Sequence, residues 1–434
     1  MYHAAVLTVS DRVSRGERPD EGGPLVAELL KNAGFEIVSH NEEADYYIIN
    51  SCTVTATADQ KTRQNVRKFK RQHPNSAVIL TGCMPQAFPE QAKELFDADI
   101  VLSNKNNDDI LNLINEYNIN HNRIVKINKH EKGDAFQKCT ISGFNERIRA
   151  FVKIEDGCDR FCSYCIIPTS RGRVRSKAPE DLKKEAELLA SHGIKEIVLV
   201  GINLSSYGKG ENFDMVDAIK ICCETDGIKR VRLGSLEPDH ITDDIIERMA
   251  KCKKLCPQFH ISLQSGCNKT LKDMNRHYTA EEYKALCDKL RSTFKDATIT
   301  TDVMVGFNEE SEEDFNESLR FVNGIGFEKV HVFPYSERKS TAASKKGDSV
   351  SKKEKERRAS IMIEETDKTR HEYFNSLIGS EQEVLFENEI EPGIYQGYTR
   401  GYVPVRMKSD KNIIGKQINV IIKTVDAIND CCFA

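Results

Sequence analysis

The stretch DGCDRFCSYC, residues 156–165, decides the fold, because it places Cys158, Cys162 and Cys165 in a C-x3-C-x2-C pattern. Structural zinc sites usually draw on two separated cysteine pairs, whereas three closely spaced thiolates in one loop suit three corners of an iron–sulfur cube. The fourth iron is then open to another ligand. The alternative is a loop of three buried thiols without metal. The spacing favours the cluster.

Strands and helices alternate on either side of this loop. From Arg149 onward the strand candidates are RAFVKIE, EIVLVG, RVRLGS, QFHISL, TITTDVMVG and KVHVFPY, with a helical segment between each pair. Such βα units suit a partial TIM-type barrel, (βα)6, better than a second flat sheet. We predict this barrel for residues 149–376, including a long charged helix that begins near Lys352.

The sequence predicts a smaller domain on each side of the barrel. With its alternating strands and helices, the complete chain is predicted to be an α/β protein. In residues 1–130 the strand candidates AAVLTVS, FEIVS, DYYIINS, AVILTGC and DIVLSN alternate with helices, which predicts a small doubly wound parallel sheet. Residues 131–148 lack periodicity and are predicted to be a linker. Residues 377–434 carry short alternating strands separated by glycine turns, which predicts a small all-β barrel.

Composition narrows the class of protein. The chain has 434 residues, 30% of them charged, and a net charge of −4. No apolar run reaches the ~18 residues that a membrane span needs, and the N-terminus lacks the pattern of a signal peptide. We therefore predict a cytoplasmic protein with no membrane partner. In that reducing compartment 14 cysteines point to metal ligands rather than disulfides.

The cysteine spacing resembles that of the radical S-adenosylmethionine (SAM) superfamily, and further motifs resemble its methylthiotransferases. These motifs are RAFVKIEDGCDRFCSYCIIPTSRGRVRS, LVGINLSSYG, RLGSLEP, HISLQSGCNKTLKDMNRHYT and HVFPYSERKSTAA. GINLSSYG and HVFPYS are most similar to the branch that acts on N6-threonylcarbamoyladenosine beside the tRNA anticodon. The resemblance covers residues from about 36 to 434, and the terminal barrel resembles the family's TRAM module, an OB-like RNA-binding barrel.

This resemblance implies a 4Fe-4S cluster whose open iron binds SAM, which is cleaved to a 5′-deoxyadenosyl radical. It implies cofactor contacts from Tyr164, beside the adenine, and from four polar residues at the ends of barrel strands: Asn203, Glu237, Gln264 and Asp302. The alternatives are core packing for Tyr164 and a structural turn for each of the others. The family's GFPGE is replaced by GFNEE at residues 306–310, so we predict no contact from that loop.

The stretch RGRVR carries Arg171, Arg173 and Arg175 close after the cluster loop. These arginines are candidates to bind RNA phosphate or the cofactor carboxylate. The alternative is a solvated basic loop.

The resemblance also implies an auxiliary iron–sulfur cluster, held by three cysteines of the N-terminal domain, that carries the methylated sulfur. Cys52 and Cys83 match two of these positions. The third is expected in a stretch like LGCKVN after the first strand, where this chain has VSDRVSRGERPDEGG and no cysteine. Candidate substitutes are Ser10, Asp11 and the distant Cys139, for which an ordinary linker thiol is the alternative.

The first 36 residues, MYHAAVLTVSDRVSRGERPDEGGPLVAELLKNAGFE, resemble instead the start of the MogA-like molybdopterin adenylyltransferases. The glycine-rich nucleotide-binding segments of that family have no counterpart downstream. Both families begin with a strand, a loop and a helix, so the exchange is expected to keep the scaffold and alter the loop.

Together these resemblances predict an enzyme that adds a methylthio group to C2 of N6-threonylcarbamoyladenosine at position 37 of a tRNA. Two SAM molecules are needed, one for the methyl group and one for the radical. The predicted partners are the tRNA anticodon loop, an electron donor such as flavodoxin or ferredoxin, and a sulfur source. One alternative is a tRNA-binding radical SAM protein that cannot methylthiolate because the first auxiliary cysteine is missing. A weaker one is a molybdopterin-binding protein, suggested by residues 1–36.

Overall fold

The computed structural model describes residues 2–10, 22–137 and 148–434, and the chain divides into two compact units. The first unit comprises Met1–Gly143, Gly157–Arg173 and Ser336–Lys346. The second comprises Phe144–Asp156, Val174–Tyr335 and Gly347–Ala434. The cysteine loop thus clusters with the N-terminal sheet. The predicted domain limits stay a prediction, and most of the predicted linker lies outside the described residues.

The first unit is built on a parallel six-stranded sheet of order β2-β1-β3-β4-β5-β6. Its strands are β1 (His3–Val9), β2 (Glu36–Val38), β3 (Tyr46–Ser51), β4 (Ala77–Gly82), β5 (Ile100–Leu102) and β6 (Ile124–Lys126). Its helices are α1 (Gly22–Asn32), α2 (Ala56–Gln72), α3 (Cys83–Ala87), α4 (Pro89–Lys93), α5 (Ile110–Asn120) and α6 (Ile167–Arg171). The predicted doubly wound sheet is confirmed, with β6 as an additional strand.

Alternating side chains of the central strands supply two separate cores. In β3, Tyr46 and Ile48 join one hydrophobic cluster, whereas Tyr47 and Ile49 join another. Successive side chains of a strand point to opposite faces, so a strand that is apolar throughout must be covered on both sides. This explains why helices flank both faces of the sheet.

The second unit contains the predicted barrel strands, all parallel. They form two sheets, β11-β10-β7 and β12-β13-β14-β15. The strands are β7 (Arg149–Lys153), β10 (Glu196–Val200), β11 (Arg230–Leu233), β12 (Ser235–Leu236), β13 (Gln258–Ile261), β14 (Thr298–Val305) and β15 (Lys329–Pro334), with a small pair formed by β8 (Glu155–Asp156) and β9 (Arg175–Ser176). Because β11 and β12 are separated only by Gly234, they act as one interrupted strand, and the partial barrel of six βα units is confirmed.

Helices cover the outside of this barrel. They are α7 (Pro179–Ser191), α8 (Met215–Glu224), α9 (Asp243–Ala250), α10 (Asn268–Asp273), α11 (Ala280–Thr293), α12 (Glu312–Ile325) and α13 (Lys352–Ser376). One continuous hydrophobic cluster runs from Val152 to Met362 through strands and helices alike. Each fully buried aliphatic or aromatic side chain in it stabilises the fold by roughly 1.5–3 kcal/mol.

The C-terminal residues form a six-stranded sheet of order β19-β16-β17-β18-β21-β20. Its strands are β16 (Glu381–Glu391), β17 (Ile394–Thr399), β18 (Pro404–Lys408), β19 (Gln417–Ile421), β20 (Thr424–Asp426) and β21 (Cys431–Phe433). All pairings are antiparallel except β18 with β21. Cys431 and Cys432 lie in this sheet and are buried. Within the described residues no helix combines the length and apolar character that crossing a membrane requires.

A buried ionic cluster occupies the N-terminal end of the barrel strands. The carboxylate of Glu196 is fully buried and lies 2.9 Å from Arg149 Nε and 3.0 Å from Arg232 Nε. Arg230 Nη1 lies 3.9 Å away. Burial acts to raise the pKa of Glu196, but the three arginines outweigh it and lower that pKa to about 2. We call these four residues the Glu196 cluster.

The C-terminal sheet completes this cluster. Arg230 donates to the carboxylate of Glu383 at 2.9 Å and to the carbonyl oxygen of Tyr398 at 2.8 Å. Arg149 pairs with Glu387, and its guanidinium lies 4.9 Å from the centre of the Tyr402 ring. Buried arginines need such acceptors, because a charge taken out of water costs several kcal/mol unless it is paired. The barrel and the C-terminal sheet therefore share one polar core.

Replacing Glu196 by alanine leaves three buried cations around an empty position. We expect Glu196→Ala to lower the free energy of unfolding by about 3–5 kcal/mol. The measurement is urea denaturation followed by far-UV circular dichroism. Glu247→Ala, at an exposed site on α9, is the control and should change stability by no more than about 0.5 kcal/mol. Equal losses in the two variants would refute the role given to Glu196.

Candidate iron–sulfur and cofactor site

The cysteine loop is held in the first unit by main-chain hydrogen bonds. The N–H of Cys158 donates to the carbonyl oxygen of Gly172 at 3.0 Å, and the N–H of Cys165 donates to that of Cys162 at 2.9 Å. The carbonyl oxygen of Ser163 accepts from the N–H of Ala343 at 2.7 Å. Cys158 and Cys162 are buried and Cys165 is half-buried. The loop therefore presents three thiols from a fixed backbone.

Glycine is required where the loop begins. Gly157 has φ +87°, and a Cβ on it would lie 2.0 Å from the carbonyl oxygen of Arg173. Any side chain there would push the two arms of the loop apart. Farther along, Phe161 has φ +51° and a half-exposed ring, with the Arg173 guanidinium 4.7 Å from its centre.

The donor set of this loop fits an iron–sulfur cube rather than a single ion. Among the described residues, no group of three His, Cys, Asp or Glu side chains is positioned to hold a metal ion. A cube differs from a mononuclear site because each thiolate binds a different iron. Three cysteines at spacings of four and three residues supply three such ligands without converging on one point.

Two strand-end amides in the second unit carry buried polar atoms that have no hydrogen-bond partner among the described residues. Asn203 follows β10, is 3% exposed, and neither Oδ1 nor Nδ2 of its side chain has a hydrogen-bond partner among the described residues. Gln264 follows β13, and its buried Oε1 likewise lacks one. Gln264 has φ +69°. Buried polar atoms are normally paired, so these amides are suited to a polar ligand.

Glu155 supports the backbone beside Asn203. Its Oε2 accepts the N–H of Asn203 at 2.7 Å. Burial raises the pKa of Glu155 well above its usual value, and the nearby Asp156 raises it further. The sequence analysis did not single out Glu155, since a carboxylate next to Asp156 looks like part of a solvated turn.

The two predicted carboxylates of this group already have partners in the protein. Glu237 Oε2 accepts from Arg276 Nη2 at 2.6 Å, and Asp302 Oδ2 lies 3.5 Å from His260 Nε2. Asp302 lies inside β14 rather than where the strand meets its loop. Any cofactor contact from Glu237 would therefore be made from an ion-paired carboxylate, and one from Asp302 from a carboxylate beside the His260 ring.

The GFNEE loop is fastened to the residues that lead into and begin α13. Glu310 Oε2 accepts from the N–H of Gly306 at 2.6 Å and from Arg358 Nη1 at 2.8 Å. Asn308 Oδ1 accepts from the hydroxyl of Ser349 at 2.8 Å. These two oxygens are thus hydrogen-bonded within the protein, and the absence of a ligand contact from this loop stays a prediction.

The three candidate RNA-binding arginines have different surroundings. Arg173 is exposed, with Asp159 at 3.3 Å. Arg175 is buried and lies 3.3 Å from the carboxylate of Asp156, while Arg171 is half-buried. Tyr164 is also half-buried. Of the arginines, Arg173 is the one whose charge is presented to solvent.

The two auxiliary cysteines lie together at the carboxyl edge of the first unit's sheet. Cys52 follows β3 and Cys83 follows β4. Burial raises the pKa of the Cys52 thiol and the neighbouring Cys83 raises it further, whereas the positive charge of Arg171 lowers it. Cys139 and Asp11, two candidates for the third ligand, lie outside the described residues.

A hydrogen-bonded chain reaches Cys83 from residues that the sequence analysis missed. Asn104 Nδ2 lies 3.7 Å from Cys83 Sγ and donates to the carbonyl oxygen of Ser170 at 2.5 Å. Its Oδ1 lies 2.9 Å from His130 Nε2, and His130 Nδ1 lies 3.1 Å from Asp134 Oδ2. His130 thus links Asn104 to the carboxylate of Asp134. The Asn104 amide presents an N–H to the Cys83 sulfur.

Comparison with known proteins agrees with this architecture. Residues 152–322 match the Radical SAM superfamily, and residues 23–103 match Uncharacterized protein family UPF0004. The chain is 36% identical over 403 residues to the threonylcarbamoyladenosine tRNA methylthiotransferase MtaB of Bacillus subtilis, covering 91% of this chain and 89% of the relative. It is 35% identical over 413 residues to the tRNA-2-methylthio-N(6)-dimethylallyladenosine synthase of Clostridium botulinum, covering 93% and 91%.

The chain belongs to the radical SAM tRNA methylthiotransferase family. Among solved structures, the radical SAM methyltransferase TsrM from Kitasatospora setae, described with cobalamin and a [4Fe-4S] cluster bound, superposes with a TM-score of 0.56. The alignment covers 77% of this chain and 75% of that chain at 11% identity, so it shows the fold alone. Radical SAM enzymes use 4Fe-4S clusters and SAM, so this methylthiotransferase uses both.

The unpaired amide of Asn203 leads to a test of cofactor binding. We expect Asn203→Ala to weaken SAM binding by about tenfold while changing the free energy of unfolding by no more than about 1 kcal/mol, because no bond within the protein is lost. Calorimetric titration of SAM into the reconstituted enzyme measures the first quantity and urea denaturation the second.

Asn106→Ala is the matched control, because the buried Asn106 accepts hydrogen bonds from Ser103 and Asn128 at 2.8 and 3.1 Å. It should lose stability and keep its affinity for SAM. A stability loss in Asn203→Ala with unchanged SAM binding would give Asn203 a purely structural role.

Asp134, the last residue of the hydrogen-bonded series that reaches Cys83, predicts that the stability of the protein depends on pH. Burial acts to raise the pKa of Asp134, but hydrogen bonds from the Glu131 N–H, Lys105 and His130 outweigh it and lower that pKa to about 2. The native state therefore binds the proton less tightly than the unfolded chain. The resulting stability of about 2 kcal/mol is present above pH 4 and is lost as the pH falls toward 2.

Urea denaturation at pH 6 and pH 3 tests this expectation. Asp134→Asn should be less stable than the parent at pH 6, and the gap should narrow at pH 3. Asp410→Asn, at an exposed site, should show no gap at either pH. A gap for Asp134→Asn that is the same at both pH values would contradict the lowered pKa.

Proposed function

We propose that this methylthiotransferase adds a methylthio group to C2 of N6-threonylcarbamoyladenosine at position 37 of a tRNA. The observation that carries the proposal is the Cys158, Cys162 and Cys165 loop in a chain 36% identical, over 91% of its length, to a threonylcarbamoyladenosine tRNA methylthiotransferase. These comparisons give no support to the alternative of tRNA binding without methylthiolation.

The chain's own residues divide the work. Cys158, Cys162 and Cys165 hold the SAM cluster, and Asn203 and Gln264 supply buried amide groups for the polar part of the cofactor. When bound, the cluster and SAM supply the radical that activates the adenine carbon and the methyl group that is transferred to sulfur. Glu237 and Asp302 are proposed to contact the cofactor through their carboxylates, and Tyr164 to pack beside the adenine.

The nucleic-acid contacts are proposed on chemical grounds. Unstacked bases of RNA loops stack on aromatic rings and arginine planes, and phosphates attract arginine. The half-exposed ring of Phe161 beneath the guanidinium of Arg173 offers both features. The C-terminal sheet is proposed to bind the tRNA as a TRAM module.

The reaction also requires partners outside the chain. We propose an electron donor such as flavodoxin or ferredoxin to reduce the SAM cluster, and a sulfur source to renew the transferred sulfur through the Cys52 and Cys83 site. All of these are cytoplasmic components, which is where we place the enzyme.

The test is the nucleoside composition of tRNA from a host that lacks its own methylthiotransferases and expresses this gene. Mass spectrometry should detect 2-methylthio-N6-threonylcarbamoyladenosine. Cys158→Ala should abolish it, whereas Cys223→Ala, at a half-buried thiol of α8, should not. A methylthio group on dimethylallyladenosine instead would assign the chain to the other branch of relatives, and no methylthio nucleoside would refute the proposal.

A further inference from the structure

Three neighbouring strands of the first unit end side by side. Val9 of β1 is the register partner of Ser51 of β3, and Ser51 is the partner of Gly82 of β4. Ser10, Cys52 and Cys83 are the residues that immediately follow these three partners. Adjacent strands lie about 4.8 Å apart, so the three side chains leave the same edge of the sheet at neighbouring positions.

Hydrogen bonds draw the three positions together. The N–H of Cys52 donates to the carbonyl oxygen of Val9 at 2.9 Å, which keeps the pairing of β1 and β3 intact up to its end. The Ser10 side chain lies within hydrogen-bonding reach of the Cys52 thiol. Gly82 has φ +95°, and a Cβ there would lie 2.4 Å from the carbonyl oxygen of Ser51. Only glycine lets β4 turn this closely toward β3 before Cys83.

A hydrogen-bond donor faces this edge: Asn104 Nδ2 points toward Cys83 Sγ at 3.7 Å. Hydrogen bonds to the sulfurs of a cluster help to set its reduction potential. Among the described residues, no third His, Cys, Asp or Glu completes an ion-binding group with the two cysteines.

We infer that Ser10 is the third protein ligand of the auxiliary iron–sulfur cluster, giving this enzyme one oxygen and two thiolate ligands where its family is expected to use three thiolates. The inference rests on the proposed function for the presence of that cluster. On ligation the Ser10 hydroxyl and the two thiols each lose a proton to solvent, and an Fe–O bond and two Fe–S bonds form without a change of oxidation state. The residue after β1 thus remains a cluster ligand, but it binds iron through an oxygen atom instead of a sulfur atom.

The experiment uses the full chain with Cys158, Cys162 and Cys165 all replaced by alanine, so that only the auxiliary cluster remains. After anaerobic reconstitution, iron and sulfide analysis should find about four irons per chain. Mössbauer spectra should show one iron with a larger isomer shift than the others, as an oxygen ligand produces. Adding Ser10→Ala should remove this iron, and adding Ser10→Cys should retain it with an all-thiolate spectrum.

The matched control is Ser39→Ala, since Ser39 immediately follows β2, whose last residue Val38 pairs with Ala5 of β1 and so lies away from the level of Ser10. It should leave the iron content unchanged. The inference is overturned if Ser10→Ala keeps its iron, if Asp11→Ala or Cys139→Ala removes the iron instead, or if the triple variant binds none. A chain that holds both clusters through the expected ligands but forms no methylthio nucleoside would refute the proposed function and leave the Ser10 assignment standing.

Discussion

The second unit depends on the ion pairs that the buried carboxylate of Glu196 forms with arginines. This carboxylate is fully buried, and three arginines from the starts of neighbouring barrel strands converge on it. One negative charge does not neutralise three positive charges, and the balance comes from Glu383 and Glu387 of the C-terminal sheet. The C-terminal sheet therefore supplies counter-charges for the buried arginines of the barrel. These residues of the C-terminal sheet are part of the polar core of the second unit.

In this arrangement the groups that stabilise the barrel and the groups suited to bind a ligand lie at opposite ends of its strands. Parallel strands place ligand-binding groups at their carboxyl ends, where the side chain of Asn203 and the Oε1 of Gln264 lack hydrogen-bond partners among the described residues. The opposite end carries the Glu196 cluster. Polar atoms without partners destabilise one end of the barrel, whereas ion pairs between buried charges stabilise the other end. A binding site can remain unsatisfied in the absence of its ligand because the scaffold is stabilised elsewhere.

Much of the fold and part of the site were predictable because they depend on patterns of neighbouring residues in the sequence. Alternation of apolar residues located the barrel strands, and the spacing of Cys158, Cys162 and Cys165 indicated a cluster loop. β6 was missed because three partly exposed residues carry too little pattern to predict a strand. Asp302 was placed at a strand end, whereas pairing with β15 continues β14 to Val305. Such pairing depends on a distant segment and leaves no trace in the local sequence.

The polar networks were not predicted for the same reason, because they join residues that are far apart in the sequence. Arg230 and Glu383 are 153 residues apart, and each alone looks like an ordinary charge at the edge of a strand. The chain of Asn104, His130 and Asp134 likewise brings together loops that hydrophobic periodicity does not describe. Fold class follows from patterns within a dozen residues, but the electrostatics of a site follow from which loops meet. That information becomes available only once the topology is known.

The pairing of β1 with β3 has an evolutionary consequence. Parallel strands recognise each other through backbone amides and carbonyls, so the sheet accepts any apolar strand of suitable length at that position. A strand, loop and helix resembling those of an unrelated family can therefore enter as an interchangeable part without disturbing the register. Such a part would bring its own residue to the edge of the sheet, and in this chain the residue after β1 is Ser10. Recombination at such a position can replace the chemistry of a metal ligand while leaving the architecture around it unchanged.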